Sequence, residues 1–137
     1  MRHVGSIHLG LGLAGVVAFL GTGQYMHLAY DHLRNMPDVP RLLFRSGHIY
    51  LLMVSLLHVV LGVYVLPVAG KVASILQGVG SVALVAALGL ILWSFFTEPL
   101  QGGIDRAVAS LGIYLALAGV LAHFIAARVL SRRSHGA

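Results

Sequence analysis

Four apolar stretches, each long enough to carry a helix across a bilayer, occupy nearly the whole chain: residues 6–30, 46–68, 72–97 and 107–130. A helix needs about 20 predominantly apolar residues to cross the hydrocarbon core. In hydrocarbon every backbone N–H and C=O must find its partner within the protein, which leaves helices or closed barrels. The apolar runs here are continuous rather than alternating, so a barrel does not fit. Only 9% of the 137 residues are charged, against about 25% in an ordinary soluble domain. The sequence therefore predicts an all-α fold: an integral membrane, up-down-up-down four-helix bundle, with 1–137 a single transmembrane domain.

The breaks between stretches are short. Asn35 to Pro40 contains two prolines, which predict an interruption. Pro67 with Gly70 marks the second turn, and Glu98-Pro99 with Gln101-Gly102-Gly103 marks the third. Short connections make consecutive helices antiparallel neighbours. The tail 131–137 is polar and expected to fray. The first stretch runs on through Gly21-Thr22-Gly23-Gln24-Tyr25 with no small-residue cleavage site, so it reads as a retained anchor.

The net charge is +5, but the charges sit at the ends of the stretches. That distribution sets topology and does not make a nucleic-acid surface. Arg2, Lys71, Arg128, Arg132 and Arg133 fall on the side of the termini. Arg34, Arg41, Arg45 and Arg106 fall on the other, together with Asp31, Asp38, Glu98 and Asp105. The arginine cluster from Arg128 onward favours N-in and C-in, in a bacterial inner (cytoplasmic) membrane. The chain has no cysteine, which excludes disulfides and thiolate metal sites.

Histidines are the main functional signal. His8, His27, His32, His48, His58 and His123 lie in or beside the apolar stretches, where an unpaired imidazole is costly and so marks a candidate site. At about 100° per residue, His8, Gly12, Gly15, Phe19, Thr22 and Met26 form one stripe. Ala109, Gly112, Ala116, Gly119 and His123 form another. Small residues leave room for a flat macrocycle, and two imidazoles at matched depth can ligate its iron. Both His8–His123 and His58–His123 are candidate pairs for haem b. Arg45 lies on the arc of His48, Ser55, His58 and Gly62, and it or the C-terminal arginines would neutralise the propionates. The alternative is close helix packing, with the histidines hydrogen-bonded between helices.

A second group lies on the opposite side. His27 and Asp31 are four residues apart on one helix face, and His48 and Glu98 belong to the same level. Two imidazoles with carboxylates suit a divalent transition metal such as zinc, copper or iron. Alternatively this is an interfacial hydrogen-bond layer, with Tyr25, Tyr30, Tyr50 and Trp93 as an aromatic belt. His32 is expected to face solvent, and His3 and His135 read as ordinary terminal residues. There is no phosphate-binding loop, no serine–histidine–acid pattern and no inverted repeat.

On its four stretches and internal His8, His58 and His123, the layout resembles the small four-helix b-type cytochrome membrane proteins. Arg45-Ser46-Gly47-His48-Ile49-Tyr50, with Thr22-Gly23-Gln24-Tyr25 before it, is also similar to a segment of uncharacterised bacterial membrane proteins. The cytochrome resemblance implies a haem-binding electron-transfer protein that exchanges electrons with quinone. The chain departs from the usual diheme spacing, because His48 and His58 are ten residues apart, about 15 Å along a helix. Three functions stay open: the haem protein, an accessory or assembly subunit of a larger membrane complex, and a metal-binding protein using His27, Asp31 and His48. Expected partners are the lipid bilayer and either other membrane proteins or further copies of this chain.

Overall fold

A computed structural model describes residues 2–64 and 68–130, with side chains for 4–64 and 68–128. Four long helices follow one another: α1 (Arg2–Tyr30), α2 (Asp38–Tyr64), α3 (Lys71–Thr97) and α4 (Ala107–Ile125). Tight 3₁₀ turns follow α1 and α3, and a π-type turn, Ala126–Leu130, follows α4. All four helices are long and apolar enough to cross a membrane. Their outer surfaces carry large apolar side chains such as Leu28, Val82, Tyr114 and Phe124, more than a water-soluble monomer exposes. The expected frayed tail, His135, Pro67 and the side chain of His3 lie outside the described residues.

The second helix begins at Asp38, eight residues before the start expected from hydropathy. Pro40 does not break it, because the first-turn N–H groups have no intrahelical acceptor to lose. Asp38 sits at the positive end of the helix and pairs with Arg41 at 3.5 Å.

The α1–α2 connection turns through three successive left-handed residues: Asp31, His32 and Leu33, at φ 44°, 56° and 63°. Each costs roughly 1–2 kcal/mol for a side chain with a Cβ. Burial of Leu33 against Phe44 and Phe95 offsets this, as do bonds from Arg34 N to Asp31 O and Met36 N to Leu33 O.

α1 packs chiefly on α2 and α4 on α3, while α2 against α3 joins the two hairpins. Glycines make both hairpin seams. A Cβ on Gly62 would lie 2.5 Å from Leu9 N, and one on Gly12 would lie 2.6 Å from Val59 N. Across the other seam, a Cβ on Gly119 would lie 2.8 Å from Gly80 O. The space that the glycine stripes provide is thus filled by neighbouring helix backbone at Gly12 and Gly119, the close-approach use of small residues in membrane helices, and by the Ser55 and Ile91 side chains at Gly15 and Gly112. Leu51, Val54, Leu84, Ala87, Ile91, Ala109 and Ala116 fill the centre.

Candidate functional site

Each helix sends one polar side chain to a common point toward the end of the bundle where α1 begins. These are His8 from α1, His58 from α2, Ser81 from α3 and His123 from α4. His8, His58 and His123 are 1%, 0% and 5% exposed, so all three imidazoles named from the sequence converge. Their arrangement differs from the candidate pairs. His8 is central: its Nδ1 lies 2.9 Å from His58 Nδ1, and its Nε2 lies 3.0 Å from Ser81 Oγ. His123 Nε2 reaches Ser81 Oγ at 3.1 Å. Ser81 was not legible as a site residue; its depth within a largely apolar helix was its only signal.

The proton positions follow from one fixed acceptor. His58 Nε2 lies 3.1 Å from Leu84 O, and a carbonyl only accepts, so Nε2–H donates. In a neutral His58 the other nitrogen is then an acceptor, and His8 must donate from Nδ1. His8 Nε2 is left to accept the Ser81 hydroxyl proton, and Ser81 Oγ accepts from His123 Nε2–H. With the single Ser81 proton on His8, the order runs from end to end and finishes at His123 Nδ1, a buried atom with no partner among the described residues. The Ser81 hydroxyl has a second acceptor within reach, Gln77 O at 3.0 Å.

This geometry does not fit a haem. Both candidate pairs use His123, whose Nε2 is taken by Ser81, and their other members, His8 and His58, are hydrogen-bonded directly to each other. The glycine seams that would admit the macrocycle are closed by Leu9, Val59 and the Gly80–Gly119 backbone contact. Arg45 is exposed and lies thirteen residues from His58, about 20 Å along α2. It therefore does not face the inward arc on which the sequence put it.

The metal candidates are placed apart. The chain leaves the right-handed helix after Tyr30, so Asp31 is not carried onto the face of His27. The exposed His27 ring packs instead on His32, with centroids 3.9 Å apart. His48 points to α1. Thr22 donates its hydroxyl to Phe19 O at 2.8 Å and accepts from His48 Nδ1–H at 2.9 Å, and the ring stacks on Phe19 at 3.9 Å. Among the described residues no three His, Asp or Glu side chains converge at metal-binding spacing. Of the expected belt, Trp93 faces outward, while Tyr25 and Tyr30 join the interior aromatic cluster around Phe44 and Phe95.

The Thr22–His48 bond gives a modest prediction. Interhelical side-chain hydrogen bonds in membrane bundles contribute about 0.6 kcal/mol on average. Thr22→Val is expected to lower the unfolding free energy in detergent by that order, as read by denaturant titration. A neutral result would mean that the Phe19 stack alone holds the ring.

Glu98 has a structural role that the sequence reading missed. It is 2% exposed, and its Oε1 accepts from Val108 N at 2.8 Å and Ala109 N at 3.0 Å. It thereby caps α4, whose own N-cap residue, Arg106, makes no side-chain cap. Arg106 Nε lies 3.7 Å from Glu98 Oε2. Its Nη1 donates to Ser46 Oγ at 2.6 Å, and its guanidinium sits 5.0 Å above the Tyr50 ring. An acid just before a helix that lacks a capping side chain was the available signal.

No protein-family model, curated protein or solved structure matches the chain.

Proposed function

We propose that this is an integral membrane protein of the accessory or assembly type, an up-down-up-down four-helix bundle that works through contact with other membrane proteins. The observation that carries the reading is the direct His8–His58 hydrogen bond within a node closed by all four helices. Three nominal ligand residues bind one another, Ser81 and a helix carbonyl in place of a cofactor. The outer faces add support. Gly10 and Gly21 on α1, and Gly78 and Gly89 on α3, have no atom within 4 Å of a built Cβ. Each pair is eleven residues apart, about three turns, so each lies on one outward face where a partner helix can approach closely. The arginine cluster from Arg128 onward favours both termini on the cytoplasmic side of a bacterial inner membrane.

The test is a visible spectrum, oxidised and dithionite-reduced, with metal analysis and cross-linking on protein purified in mild detergent. The expected result is a flat visible spectrum, no stoichiometric metal, and one or more specific membrane-protein cross-links that survive in His123→Ala. A Soret band lost in His123→Ala would replace this reading with a b-type cytochrome. Stoichiometric metal lost in His27→Ala and His48→Ala would replace it with a metal-binding protein.

A further inference from the structure

We infer that the node is a one-ended proton relay, which takes up a proton at His123 Nδ1 and holds it on the hydrogen-bonded His8–His58 pair.

The chain Leu84 O, His58, His8, Ser81, His123 is continuous, with successive distances of 3.1, 2.9, 3.0 and 3.1 Å. Every joint is within hydrogen-bond range. In the neutral state, with the Ser81 proton turned to His8 rather than to Gln77 O, every bond points the same way, from His123 toward Leu84. The end with an unpartnered lone pair is His123 Nδ1, a buried atom, so that is where the chain accepts a proton.

Uptake proceeds by exchange along the chain, and it balances. A proton binds His123 Nδ1. The His123 Nε2–H bond breaks as that proton passes to Ser81 Oγ. The original Ser81 hydroxyl proton leaves for His8 Nε2. His123 ends neutral with its proton moved from Nε2 to Nδ1, Ser81 ends as a hydroxyl facing His123, and His8 is an imidazolium. Transfer of His8 Nδ1–H across the 2.9 Å contact moves the same charge to His58. It stops there, because Leu84 O accepts a hydrogen bond but cannot relay a proton. Beyond it lie Leu51, Val54, Ala87 and Ile91. Ser55, one turn from His58 on α2, donates to Leu51 O, and the next polar side chain on α3, Ser94, is thirteen residues from Ser81, about 20 Å away, and donates to Ile91 O. The node is therefore a store with a single entrance.

The entrance lies at the terminal end of the bundle. His123 lines a groove of about 190 Å³ with Leu61, Tyr64, Gln77, Phe124 and Arg128. Its Nε2 is held by Ser81, and its Cδ2 edge faces Gly80, so the Nδ1 edge turns away from α3. The titratable or charged side chains near the node, among the described residues, are His8 on α1, His58 and Tyr64 on α2, and His123 and Arg128 on α4. No described carboxylate lies in the groove or the node. His123 Nδ1 is itself buried, so the proton donor, water or another small hydroxyl compound, reaches it when the side chains lining the groove part.

Nitrogen-15 NMR of histidine-labelled protein in detergent micelles tests this without needing a partner, so its outcome is separate from that of the subunit reading. In the neutral state His8 is expected to carry its proton on Nδ1, with His58 and His123 protonated on Nε2. On acidification, the His8 and His58 resonances move together as one proton enters the node, in step with His123. In Ser81→Ala, His123 still takes up a proton but the His8–His58 pair no longer responds with it. Ser81→Thr, which keeps the hydroxyl, restores the response. His8 protonated on Nε2 in the neutral wild-type protein overturns the relay, and so does an unchanged response in Ser81→Ala. Should Ser81→Ala fail to fold, the wild-type tautomers decide by themselves.

Discussion

Glu98→Ala is expected to lower stability by about 3–5 kcal/mol, the range for breaking a buried ion pair by removing one member. Two losses combine. Val108 N and Ala109 N lose their shared acceptor at the start of α4, where no other side chain caps the helix. The Arg106 guanidinium, with its side chain 19% exposed, loses its carboxylate partner. Contacts from Arg106 to Ser46 and Tyr50 persist, which places the result toward the lower end of the range. Glu98→Gln keeps an oxygen for the two N–H groups and loses the charge. Its cost should be smaller, because hydrogen bonds to neutral groups contribute about 0.5–1.5 kcal/mol and those to charged groups about 1.5–3. Denaturant titration in detergent, followed by circular dichroism, checks both. Equal losses for the two variants would mean that charge, and not capping, is what Glu98 supplies.

Gly62→Ala and Gly119→Ala are expected to destabilise the two hairpins by about 1–3 kcal/mol each, the usual range for overpacking. The sign is decided by what the new methyl meets. At Gly62 it meets Leu9 N, Cα and Cβ at 2.5 to 2.6 Å, and at Gly119 it meets Gly80 O at 2.8 Å. Backbone cannot swing aside as a side-chain tip can, so the helices must separate. Gly10→Ala and Gly78→Ala serve as controls. Nothing lies within 4 Å of either position, and alanine in place of glycine favours a helix by about 0.5–1 kcal/mol. They should be neutral or stabilising in the isolated protein. The same assay reads all four, and a seam variant as stable as its control would refute the packing account.

The two sets of glycines show where sequence reasoning runs out. Spacing put Gly12, Gly15 and His8 on one face, and Gly112, Gly119 and His123 on another, and these faces do point inward. Spacing carried no information on whether a flat ligand or another backbone fills the gap, because either makes the same demand for a missing side chain. The histidines behaved similarly. Each imidazole was legible as an internal polar group from its apolar surroundings. The order His58–His8–Ser81–His123 was not, because it depends on the rotation of four helices and on ångström-level depth. Asp31 failed as a neighbour of His27 for a local reason: three left-handed residues redirect the chain where periodicity assumed a continuing helix.

What the sequence determined by itself is the set of four long apolar helices, their short antiparallel connections and the burial of His8, His58 and His123. Those follow from hydropathy, the need to satisfy backbone polar groups and the cost of an unpaired imidazole in an apolar interior. What only the tertiary structure decided is which atoms those imidazoles meet, that Ser81 joins them, that Glu98 caps α4, and that glycine seams bring backbones together. Hydrogen bonds and steric contacts are set within a few tenths of an ångström, across residues as distant as His8 and Ser81 or Ser81 and His123. Helical periodicity fixes only the face on which a residue lies.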